Sequence, residues 1–261
     1  PGPYAAGALL RGDGRFALGP LPEVAASTHT WEEVAPHLPP GPELELFAHE
    51  RVVRGDDLRA HGLRATVLEL PFACEPWEPA YPTATYGPYE LDPGAVDLPE
   101  LVPVQLPRPG TRRDDPDVER ALRELTRTWQ RDSNGRSDAV AVAGDAFVAI
   151  ATLGPRRARA REVPASTALA LMAWCAASGG AHGRRRGMAA GRFDAWWAAA
   201  ALARHELPSP GEPASGLGTA IDSLRWWVWD AYEPPGGWRL QLAVHDPVDN
   251  LAWAVAATDT A

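Results

Sequence analysis

Apolar positions along this chain recur either every three to four residues or every second residue, and the two periods mark out its elements. From Pro116 the period is helical. Val118, Leu122, Leu125 and Trp129 form one stripe, Asp115 stands where a cap belongs, and Pro116 suits the first helical position. Ser133-Asn134-Gly135 marks a turn, and residues 138–143 alternate as a strand; residues 145–153 are too short a run for periodicity to choose between strand and helix. Two helices follow, at roughly 166–178 and 185–206, on either side of a glycine-rich junction. In the second, Ala189, Phe193, Trp196, Trp197 and Ala200 share a face.

Residues 222–232, 237–245 and 250–259 read as a three-stranded antiparallel meander, turned at 234–236 and 246–249. Alternation sets Trp226 and Val228 on one face and Trp227 and Trp229 on the other. A strand with large aromatics on both faces needs cover on both. The fold class predicted is therefore α+β, with helices packed on an antiparallel sheet, a C-terminal meander and a Pro-rich N-terminal half.

That N-terminal half reads as short elements. Thr30 and Glu33 fit a capping box for a helix ending near Leu38, before Pro39-Pro40. Residues 43–53 alternate as a strand would through Leu44, Leu46 and Ala48. Residues 56–61 suit a single helical turn followed by Gly62, and 63–70 form a second strand candidate. From 71 to 115 the density of Pro, Tyr and acid predicts loop or extended edge structure. Nineteen of the 27 prolines lie at or before position 116, whereas eight of the eleven tryptophans lie from Trp174 onward. The shift divides the chain into a portion 1–115 and a portion 116–261, as two units or one continuous domain.

Composition excludes several chemistries. All 25 basic residues are arginine, a bias matching a GC-rich genome; without lysine there is no Schiff-base chemistry, P-loop or kinase-type site. The net charge of −9 argues against duplex nucleic acid as a partner. No apolar run approaches the ~20 residues of a membrane span, so a cytoplasmic location is expected, although a removed leader stays open because the chain starts at Pro1. Cys74 and Cys175 stand far apart without a CxxC pairing and read as free thiols. There is no G-x-S-x-G, H-E-x-x-H or EF-hand pattern, and neither a cofactor nor a metal is expected. Gly12-Asp13-Gly14 and Gly216-Leu217-Gly218 read as turns, and so does His245-Asp246 with Asp249.

One segment breaks local rules. Gly179 and Gly180 are expected to end one helix, and Arg184, Arg185 and Arg186 to open the next. A helix N-terminus carries about half a positive charge, so each arginine there costs roughly 0.3–1 kcal/mol. An anion among backbone N–H groups and guanidinium forks would remove the conflict; so would ion pairs with some of the 34 acidic residues. The candidate ligand set is Ser178, Gly179, Gly180, Arg184, Arg185, Arg186 and Arg192, with Trp196 or Trp197 covering an apolar part of the ligand. His182 is the candidate acid/base, the one nearby group that titrates near neutral pH.

The runs Ser133-Asn134-Gly135-Arg136, Gly179 through Gly187, Trp196-Trp197, Gly237-Trp238 and Ala252-Trp253 resemble an uncharacterised family of actinobacterial proteins over roughly 116–261. The resemblance implies an actinobacterial origin and carries no activity, ligand or catalytic residue. Two functions stand as expectations. One is a small anionic-ligand site, catalytic or not, at the helix junction. The other is a non-enzymatic interaction protein, immunity-like or regulatory, using the acidic first half and unpaired tryptophans as its interface.

Overall fold

The computed structural model describes residues 1–12, 17–209, 212–233 and 236–260. The N-terminal portion is helical: α1 (Gly2–Arg11), α2 (Leu21–Thr28), α3 (Trp31–Val34) and α4 (Pro42–Val52). The capping box is present at α3, with the Thr30 and Glu33 side chains each engaging the other's backbone N–H. The strand expected at 43–53 is instead α4. Pro42 opens the helix, Glu43 and Glu45 lie in its first turn, and Arg51 in its last, all matching the helix dipole. Phe47, Ala48 and Val52 then bury at helical spacing, which outweighs the short alternation that suggested a strand.

The expected single turn is a 3₁₀ segment, Arg59–His61, stopped by Gly62 with φ +65°. Residues 63–70 form no strand; the backbone donors at their centre, Thr66 to Leu68, are taken by a side chain described below. The Pro-rich stretch is extended or irregular apart from β1 (Thr85–Tyr86), β2 (Leu91–Asp92) and β3 (Val102–Val104).

The predicted stripe at 118–129 is fully buried but spans two helices, α5 (Pro116–Glu124) and α6 (Arg127–Asp132). Asp115 does not cap α5 through its side chain; its carboxylate accepts a hydrogen bond from Trp253 Nε1. Next come β4 (Arg136–Ala143), α7 (Ala146–Leu153, capped by Asp145), β5 (Ala158–Val163), α8 (Ala165–Ala177), α9 (Met188–Leu202) and α10 (Ser215–Asp222). Gly216-Leu217-Gly218, expected as a turn, lies inside α10. The meander follows as β6 (Arg225–Asp230), β7 (Trp238–Asp246) and β8 (Leu251–Asp259). Asp13 and Gly14 of the first glycine turn, and Pro234 and Pro235 of the first meander turn, lie outside the described residues. Asp246 supports the second turn by accepting from the Val248 and Asp249 N–H groups.

The meander is the centre of a six-stranded antiparallel sheet in the order β3-β5-β6-β7-β8-β4. Its two faces divide the tryptophans as alternation requires. Trp226, Val228 and Trp253 pack with α5, α8 and α9, whereas Trp227 and Trp229 pack with α7. The N-terminal helices form a third apolar cluster around Phe47, and α4 touches α9. The structure is α+β with helices on both faces of an antiparallel sheet. Among the described residues no helix is long and apolar enough to cross a membrane.

Candidate functional site

The three arginines do not open a helix. Helix α8 ends at Ala177, Ser178 is extended, and α9 begins only after Gly187, which has φ +98° and brings its backbone close to Glu50. Arg184, Arg185 and Arg186 therefore belong to the loop before the helix. The N–H groups at the start of α9 face carboxylates from the N-terminal portion: Met188 donates to Glu23 Oε1 at 3.1 Å and Ala189 to Glu50 Oε1 at 3.0 Å. Acid at the helix start, which the local sequence lacks, arrives from α2 and α4.

Those same carboxylates answer part of the arginine charge. Arg185 makes a two-pronged pair with Glu23, Nε to Oε2 at 2.7 Å and Nη2 to Oε1 at 2.8 Å, and Tyr86 donates to Glu23 Oε2 at 2.6 Å. Burial alone would raise the Glu23 carboxyl; the hydrogen bond and charge of Arg185 outweigh it and hold the group below its usual range. Glu50 is fully buried, and burial together with the charge of Glu23 pushes it up to about 8, despite its pairing with Arg54. Arg186 pairs with Asp194 and donates to the Ala176 carbonyl.

Arg192 lies apart from the loop arginines. It forms a pair with Glu78 in which both side chains are 0% exposed, and it also donates to the Pro71 and Ala73 carbonyls at 3.0 and 2.9 Å. Trp196 donates through Nε1 to Glu78 Oε2 at 2.8 Å and is itself buried. Arg192 and Trp196 thus anchor the segment 71–78 from beneath, and neither lines the cavity described next. Trp197 is half-buried against the main core. His182 is exposed, with its backbone N–H on Ser133 Oγ.

A cavity of about 430 Å³ lies at the α8–α9 junction. Ser178, Gly179, Gly180, Arg184 and Arg185 line it, together with Trp238, Leu91 and Pro93. Of the sequence candidates, the structure brings five to this cavity and leaves His182, Arg186, Arg192, Trp196 and Trp197 outside its lining. No acidic side chain lines it among the described residues. Arg185 Nη1 is buried without a hydrogen-bond partner, although Glu23 satisfies the other two guanidinium nitrogens. Ser178 Oγ, by contrast, is fully used: it accepts from Trp129 Nε1 and donates to the Cys175 carbonyl, so it is a strut rather than a nucleophile. Gly179 is required by packing, since a Cβ there would meet the Gly183 carbonyl oxygen at 2.2 Å.

Residue order alone hides the apolar wall. Trp238 comes from β7 and Leu91 from β2, and only the fold brings them to the arginine loop. Trp238 stacks on Trp174 with ring centroids 4.7 Å apart, which fixes its ring. None of the eleven tryptophans is exposed, and Trp77, Trp174, Trp197 and Trp238 are half-buried. Among the described residues no cluster of three or more His, Cys, Asp or Glu side chains could hold a metal ion.

Compared with known proteins, the chain matches the family described as a family of unknown function (DUF6183) over residues 5–261, well beyond the 116–261 suggested by its motifs. No curated protein and no solved structure matches it.

Proposed function

The chain belongs to that family of unknown function, and from its site we propose that it binds a small anionic ligand, a phosphate or carboxylate on a compact apolar body, in the α8–α9 junction cavity. The observation that carries this reading is a cavity lining that holds Arg184 and Arg185 and, among the described residues, no acidic side chain, with Arg185 Nη1 lacking a hydrogen-bond partner. Leaving a charged donor buried without an acceptor costs more than the roughly 1–3 kcal/mol of a neutral one, and a ligand oxygen would remove that cost. Arg184 on the same wall adds charge, and Trp238, Leu91 and Pro93 supply contact for an apolar body. The cavity lies within the ~300–1,000 Å³ usual for small-molecule sites. The activity proposed is binding, since the candidate acid/base His182 is not part of the lining.

The test is thermal stability in phosphate and in chloride at equal ionic strength. Replacing Arg185 would strand Glu23, so the informative variants are Arg184→Ala and Leu91→Glu, which leave that pair intact. The wild type should gain more from phosphate than from chloride, by mass action on the native state. Each variant should lose that excess while keeping the general stabilisation by excluded anions. An equal phosphate gain in all three proteins refutes the site.

A further inference from the structure

A second cavity, of about 720 Å³, borders the N-terminal portion, and it shares no lining residue with the first. Its floor is Leu63, Leu70, Pro71 and Phe72. This is irregular chain, yet two buried charged side chains hold it. Glu45 accepts from the Thr66 and Val67 N–H groups at 2.7 and 2.5 Å and from Thr66 Oγ1 at 2.7 Å. Arg192 takes the Pro71 and Ala73 carbonyls. Beneath Phe72, His49 stacks at a ring-centroid distance of 4.5 Å. Buried charges are costly, and here two of them fix a loop that no strand or helix would otherwise order. Such supported loops are how binding walls are held in one geometry.

The rim carries both signs. Arg64 and Arg59 stand on it with Glu75 and Glu212. Arg59 is already paired with Asp57, and Glu212 accepts from the Ser209 N–H. Among the described residues, the Arg64 guanidinium donates no hydrogen bond and the Glu75 carboxylate accepts none. Among the described residues, then, neither Arg64 nor Glu75 is held in a hydrogen-bonded ion pair, although the Glu75 charge acts on Arg59, and both stand over one apolar floor.

We infer that this cavity is a second ligand site, for a zwitterion with an apolar side chain, that is, a free apolar α-amino acid. Arg64 receives the carboxylate, Glu75 the ammonium group, and the Leu63–Leu70–Phe72 floor the side chain. Mixed charge around an apolar floor selects a ligand that carries both charges over one that carries either alone.

The experiment is calorimetric titration with L-phenylalanine and L-leucine, beside phenethylamine, which lacks the carboxylate, and 3-phenylpropanoate, which lacks the ammonium. At least one amino acid should bind at one per chain, and each single-charge analogue of phenylalanine should bind on the order of tenfold more weakly. The rim changes Arg64→Ala and Glu75→Gln should weaken the amino acid by a similar factor, whereas Arg184→Ala, in the other cavity, should not. No binding of either amino acid overturns the proposal. So does equal binding of the analogues, or affinity unchanged in both rim variants.

Discussion

At the level of single residues, the arginines show what local sequence can and cannot reveal. The conflict at 184–186 is legible from the chain alone, because three cations beside a helix start are out of place. What answers them is not legible: Glu23 lies more than 160 residues away from Arg185, and Glu78 lies 114 from Arg192. Only tertiary structure pairs them. The pairs also make a sharp prediction. Arg192–Glu78 is fully buried, so Glu78→Ala alone should cost about 3–5 kcal/mol by stranding the guanidinium. The double change Arg192→Met/Glu78→Leu removes both charges and should cost distinctly less than the single one. Urea denaturation of the three proteins measures the difference; a double variant as unstable as the single would show that packing, rather than charge pairing, governs the site.

At the scale of elements, periodicity reads long segments well and short ones poorly. The α5–α6 stripe, the paired helices and the meander are legible because each buries a face over many residues. Helix α4 is misread because Leu44, Leu46 and Ala48 alternate by chance within a helix whose true face is Phe47, Ala48 and Val52. Strand β5 is missed altogether. Its Ala-Arg-Ala-Arg pattern carries little apolar bulk, and pairing with β3 and β6 defines it. The absent strand at 63–70 has a nameable cause in Glu45, which supplies the acceptors a neighbouring strand would have offered. Replacing Glu45 by Ala should therefore loosen this loop rather than convert it to sheet. Amide exchange at Thr66 and Val67 should accelerate while exchange in β6–β8 stays unchanged, and uniform acceleration would contradict the assignment.

At the scale of the whole molecule, two buried groups in α4 set opposing pH dependences. Burial, with a contribution from the charge of Arg192, pushes His49 down to about 3 from an ordinary value of 6.5. The unfolded chain then takes up the proton first, so stability is lost as pH falls from about 6.5 toward 3. Glu50 is raised from 4.5 to about 8, so the folded state holds its proton longer, and stability is lost as pH rises from about 4.5 through 8. Between these onsets the two trends oppose, which places maximal stability near pH 4.5–6.5. Above 6.5 the loss belongs to Glu50 and approaches about 1.4 kcal/mol per pH unit. In Glu50→Gln that alkaline slope should flatten; an unchanged slope would assign it to another group.

The junction cavity is also a property of the whole molecule. Its charge comes from the loop before α9, its aromatic wall from β7, and its remaining apolar wall from the β2 region and the residues before α2. The measurement that tests it most directly is a crystal structure of the protein grown with phenyl phosphate, an anion on a compact apolar body. The expected result is a phosphate oxygen within hydrogen-bond distance of the Arg185 guanidinium, ~2.7–2.9 Å, with the phenyl ring against Trp238. A cavity without the ligand, in which an ordered water joins Arg185 Nη1 to the protein's own carbonyls, would contradict it.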